Sequence, residues 1–94
     1  RYVEIIGRCY GAGAAVRRAG SGTLGLCHVA NGASDAYAEL HINAWDVAAG
    51  IVIAGEAGAQ INDFFAGEGL SKGNPILCCT PGLVAPLRDI TGIA

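Results

Sequence analysis

The stretch Trp45–Gly58, WDVAAGIVIAGEAG, constrains the fold of this chain more than any other. It opens on an aromatic–aspartate pair, runs through small and branched apolar residues, and stops at a glycine. This pattern predicts a helix from near Trp45 to near Ala57 with Gly58 just past its end, where a left-handed residue closes a helix. Asp46 falls in the first turn, where a carboxylate meets unsatisfied backbone N–H groups and the positive end of the dipole. The helix is apolar on nearly all sides, which predicts burial rather than an amphipathic surface position. A carboxylate at the rim of such a core is also placed to meet a metal ion or a polar substrate.

Composition narrows the setting. Ninety-four residues make one domain. A hydrophobic content of 52% and a mean hydropathy of +0.43 are high for so small a unit. Small domains bury proportionally less surface, so the excess predicts that another domain or subunit covers part of this one. No run reaches the ~18–20 apolar residues that span a bilayer; the most apolar stretch, Val47–Ala59, carries Glu56 and three glycines. Net charge is −2, and the basic residues are scattered apart from Arg17–Arg18, which excludes the basic stripe of a nucleic-acid binder. Cys9, Cys27, Cys78 and Cys79 lack zinc-ligand spacing and the density of a disulfide scaffold, and read as free, buried thiols of a reducing, cytoplasmic setting. The chain contains no methionine and starts at Arg1, so it reads as a piece of a longer polypeptide.

The remaining elements follow from local signals. Tyr2, Ile5, Ile6 and Cys9 recur at helical spacing, with Gly11 and Gly13 ending the helix. Ala14–Ala19 is a candidate strand leading into Gly20-Ser21-Gly22. Ser21 is a suitable N-cap for a helix closed by Asn31-Gly32. Ser34–Leu40 alternates, with Asp35, Tyr37 and Glu39 on a polar face and Ala36, Ala38 and Leu40 on the other. Gln60–Phe65 reads as a short strand, Ala66–Gly73 as a loop, and Ile76–Thr80 as a strand covered on both faces. A last helix spans Pro81–Ile90, with Pro81 in its first turn and Pro86 as a weak point. Alternating helices and strands give an α/β fold: a layered sheet of about four to five strands with helices packed on it.

These residues also carry a family resemblance. Gly20-Ser21-Gly22, Asp35-Ala-Tyr-Ala-Glu39, Trp45-Asp46-Val-Ala-Ala-Gly50 and Glu56-Ala-Gly58, in this order, resemble the C-terminal half of the inositol monophosphatase family. The likeness runs from about Arg17 to the end, through Asn74-Pro-Ile-Leu and Pro81-Gly-Leu. It implies the C-terminal half of the inositol-phosphatase-like sugar phosphatase fold, with residues 1–94 forming that C-terminal α/β domain and the N-terminal catalytic-metal domain absent. Members of the wider lithium-sensitive superfamily hydrolyse phosphate monoesters with Mg²⁺ and an activated water.

The resemblance assigns roles residue by residue. Asp46 matches a carboxylate that ligates Mg²⁺ and contacts substrate hydroxyls, Glu39 matches the acidic residue on the inositol ring, and Gly20, Ser21 and Gly22 match the turn that contacts substrate. Mg²⁺ takes oxygen ligands and usually only one or two protein carboxylates, and a glycine turn opening a helix aims N–H groups at an anion. The family's earlier acidic motifs, Gly-x-Glu-Glu and Asp-Pro-x-Asp-Gly-Thr, are missing, and no Asp-Pro or Glu-Glu occurs. No catalytic residue is therefore assigned, and the isolated chain is expected to lack phosphatase activity.

The implied function is the substrate-recognition half of an enzyme converting myo-inositol monophosphate to inositol and phosphate. The implied partners are a small phosphorylated polyol, the missing N-terminal half, and a second copy when full length, with no nucleic acid and no membrane. Alternatives are another small phosphate ester (fructose bisphosphate, histidinol phosphate or a nucleotide 3′-phosphate), or a non-catalytic association module. Trp45 reads as a packing residue, His28 and His41 as structural or surface residues, and Asp35 and Asp63 as turn and strand-end residues.

Overall fold

The computed structural model describes residues 1–17 and 20–94. Helix α1 spans Tyr2–Gly11, α2 Gly22–Ala30, α3 Ala44–Glu56, α4 Gly69–Lys72 and α5 Val84–Thr91, and a 3-10 turn over Pro81–Leu83 leads into α5. Strands β1 (Ala36–Ile42), β2 (Gln60–Ile61) and β3 (Asn74–Cys79) form an antiparallel sheet in the order β1-β3-β2. The mixed α/β class expected from the alternation holds, with three strands among the described residues rather than four to five. The candidate strand Ala14–Ala19 accounts for part of this difference: residues 14–17 take no regular structure, and Arg18 and Ala19 lie outside the described residues.

Strand β3 is central, which explains its unbroken apolar run. Ile76, Leu77, Cys78 and Cys79 are all buried. Successive side chains of a strand leave opposite faces. Ile76 and Cys78 join Leu26 and Val29 of α2, Ala44, Val47 and Ala54 of α3, and Phe64 in one core. Leu77 lies on the other side, along a groove shared with Ile5 and Ile6 of α1 and Leu87 of α5. The four cysteines are free, but only Cys78 and Cys79 are buried; Cys9 and Cys27 are half-buried. Burial pushes the Cys78 thiol up to about 11, so it stays protonated and inert at neutral pH.

Several boundaries differ from the sequence pattern for physical reasons. The Gln60–Phe65 strand contracts to Gln60–Ile61, because Asn62 turns its side chain onto β3. The Asn62 amide donates to the Pro75 carbonyl at 2.9 Å, and Leu77 N–H donates to Asn62 Oδ1 at 2.8 Å. The expected loop Ala66–Gly73 contains α4, a single turn with an exposed Lys72–Glu68 ion pair at 2.7 Å. Pro86 is not a weak point: it is the third residue of α5, where backbone N–H groups have no intrahelical acceptor to lose. Helix α3 forms as expected, but it is not buried on all sides. Trp45 is 76% exposed and Val52 64%, because α2 and the sheet cover only the side that carries Val47, Gly50 and Ala54.

Candidate functional site

The local chemistry of two helix starts places the polar groups. Ser21 caps α2 with its hydroxyl, accepting from Leu24 N–H at 3.3 Å, and Gly20 before it takes a left-handed φ of 75°. Helix α3 begins at Ala44, so Asp46 is its third residue, the first-turn position that the dipole favours for a carboxylate. The two starts are tied together: Thr23 Oγ1 donates to the Asp46 carbonyl at 2.8 Å. Loss of the Ser21 cap through Ser21→Ala is expected to cost about 1 kcal/mol, or roughly 5 °C in Tm for a domain of this size, read by thermal unfolding.

Strand β1 supplies the third wall. Tyr37 and Glu39 share its polar face, and that face is turned towards α2. The approach is close because residue 25 is glycine: a Cβ there would sit 2.4 Å from the Tyr37 ring. Burial and the neighbouring Glu39 carboxylate push the Tyr37 phenol upward, so it remains a neutral hydroxyl at any ordinary pH. Glu39 itself is held by Tyr2 of α1, whose hydroxyl donates to Oε2 at 2.8 Å, while the Tyr37 hydroxyl stands 3.5 Å from Oε1.

Together these elements enclose an open cleft of about 380 Å³ lined by Gly20, Ser21, Gly22, Thr23, Tyr37, Glu39, Ile42 and Asp46. Gly20, Ser21, Gly22, Glu39 and Asp46, all singled out from the sequence, meet there. Thr23, Tyr37, Ile42 and the more distant Tyr2 were not. Tyr37 carried a usable signal, a phenol two residues from Glu39 on one strand face. Tyr2 carried none, because its helical spacing reads as an apolar face. His28 and His41 stand apart from the cleft lining; His41 Nε2 bonds the Lys72 carbonyl at 2.9 Å.

The cleft combines groups that favour negative charge with groups that accept hydroxyl hydrogens. Two helix amino termini open onto it, which favours negative charge, and two carboxylates can accept hydroxyl hydrogens. Among the described residues no three His, Cys, Asp or Glu side chains cluster as a metal centre. Asp46 is suited to be one oxygen ligand of a hard cation, but the side chains of the described residues do not complete a shell.

A family model for the inositol monophosphatase family matches residues 4–90. This chain belongs to that family. It is 38% identical over 90 residues to the Nus factor SuhB of Vibrio cholerae, covering 95% of this chain and 34% of that protein. The crystal structure of inositol monophosphatase-II from Staphylococcus aureus superposes with a TM-score of 0.73 at 31% identity, over 95% of this chain and 34% of that one. An inositol monophosphate-bound SaIMPase-II matches with a TM-score of 0.72 at the same identity and coverage. The chain thus spans about a third of the length of these relatives. Among the described residues no helix is long and apolar enough to cross a membrane.

Proposed function

We propose that residues 1–94 are the C-terminal, substrate-recognition part of a Mg²⁺-dependent phosphatase acting on myo-inositol monophosphate. One observation carries this reading: Gly20–Gly22, Glu39 and Asp46, up to 26 positions apart in sequence, line a single cleft at the starts of α2 and α3. In this reading Glu39 and Asp46 accept hydrogen bonds from ring hydroxyls, and Ser21 with its flanking glycines offers hydroxyl and backbone groups to the same ligand. Asp46 also supplies one carboxylate to Mg²⁺, the other ligands coming from outside these residues. When bound, such an ion activates water and neutralises phosphate charge.

Two assays test the proposal. The purified chain with Mg²⁺ is expected to release no phosphate from myo-inositol 1-phosphate, because one carboxylate does not assemble the metal centre. Turnover above the buffer rate contradicts this. Binding, followed by amide shifts, is expected to favour inositol monophosphate over histidinol phosphate and fructose bisphosphate. Equal or reversed ranking moves the reading to another phosphate ester, for which the same scaffold serves.

A second reading, an association module, is favoured by the exposed apolar residues Trp45, Val52 and Ile53 of α3 and by the Nus factor name of the relatives. A chain that sediments as a monomer and shows no apolar association argues against it.

A further inference from the structure

Strand β1 is irregular just after Glu39. Glu39 pairs with Ile76 and Ile42 pairs with Asn74, so Leu40 and His41 stand opposite Pro75 alone. Two residues against one is a β-bulge, a device that bends a strand and re-aims the side chains beside it. Pro75 has no N–H to offer the ladder, which suits it to such a position. Among the described residues β1 is also an edge strand, with no strand partner there for N–H groups on its outer side.

Tyr2 of α1 sits at this irregularity. Leu40 N–H donates to the Tyr2 hydroxyl at 2.8 Å, and the same hydroxyl donates to Glu39 Oε2 at 2.8 Å. One phenol oxygen therefore ties the bulged backbone to the carboxylate of the preceding residue. The Tyr37 hydroxyl is on the other carboxylate oxygen at the limit of bonding distance, 3.5 Å. Glu39 is thus restrained from both sides, and the stronger restraint comes from a helix outside the cleft lining. A carboxylate has about four acceptor sites, so capacity for ligand hydroxyls remains.

We infer that Tyr2 is a positioning residue for the cleft: it fixes the rotamer of Glu39 through the Leu40 bulge and so sets affinity for the hydroxyl groups of the ligand, not for its phosphate. The inference rests on the reading of the cleft as a polyol-phosphate site. It makes α1 a determinant of ligand selection although α1 contributes no cleft wall.

The test is an NMR titration of the chain with myo-inositol 1-phosphate and, separately, inorganic phosphate. Tyr2→Phe removes one hydroxyl and is expected to weaken inositol phosphate binding about fivefold, the worth of one hydrogen bond, with phosphate affinity unchanged. Glu39→Ala is expected to weaken it at least as much, and Tyr2→Phe added to Glu39→Ala is expected to change nothing further, since the group it positions is gone. Wild-type affinity in Tyr2→Phe alongside a loss in Glu39→Ala overturns the inference and leaves the polyol reading standing. A loss of affinity for both ligands, or a further loss on top of Glu39→Ala, shows a general structural role and also overturns it. Wild-type affinity in Glu39→Ala overturns the polyol reading itself. Should Tyr2→Phe not fold, the wild-type Leu40 amide decides: protection from hydrogen exchange at this sheet edge supports the tie, and free exchange contradicts it.

Discussion

Gly73→Ala is expected to destabilise the chain by about 3 kcal/mol, from backbone strain and overpacking together. Gly73 joins α4 to β3 with φ 78° and ψ 174°, a backbone region that is nearly exclusive to glycine. A Cβ there would stand 2.3 Å from the Ile42 carbonyl oxygen and 3.0 Å from His41 Nε2. The first of these is backbone at the end of β1, so it cannot swing away as a side chain could. Relief requires the β1–β3 ladder to open beside the Ile42–Asn74 pair. For a domain of this size the expected drop in Tm is roughly 15 °C. Gly7→Ala is the matched control: it lies inside α1 with nothing within 4 Å of the added methyl, and is expected to be neutral or stabilising by up to about 1 kcal/mol. Equal melting of the two variants would contradict the close approach at Gly73.

The contrast between these glycines shows what the sequence makes legible. Ser21 as a cap and Asn31 as a helix end are visible because capping is settled within a few residues. The start of α3 at Trp45-Asp46 is visible for the same reason. The face of β1 is half-legible: alternation puts Tyr37 and Glu39 together, but not under α2. That placement depends on Gly25, twelve residues before Tyr37, admitting the Tyr37 ring. The contraction of β2 depends on Asn62 bonding across to Pro75 and Leu77, and α4 is too short to have a period. The exposure of Trp45 and Val52 opposes the burial expected from the all-round apolar pattern of α3, since such patterning reports what a helix can bury and not what is present to cover it. Within the cleft, the residues with a family motif were legible, whereas Tyr2 reaches Glu39 across 37 positions with no local trace.

Asp46→Asn is expected to weaken binding of inositol monophosphate roughly tenfold to a hundredfold, since hydrogen bonds to a charged acceptor contribute about 1.5–3 kcal/mol. The substitution preserves size and leaves the backbone carbonyl that accepts from Thr23 in place. An amide at the first turn of α3 loses only the dipole attraction, a few tenths of a kcal/mol to about 1 kcal/mol. The variant is therefore expected to fold, with its Tm within several degrees of the parent. Binding and stability should separate, which is how a ligand contact differs from a helix-end charge. A fall in Tm with no change in binding would return Asp46 to a structural role.

The most direct measurement is an amide NMR titration of the unaltered chain with myo-inositol 1-phosphate, with Asp46→Asn in parallel. Saturable shifts are expected at residues 20–23, Glu39 and Asp46, with their loss in the variant over the same concentrations. Absence of shifts in the unaltered chain, or shifts centred on the groove between α1, α5 and the sheet, would contradict this expectation.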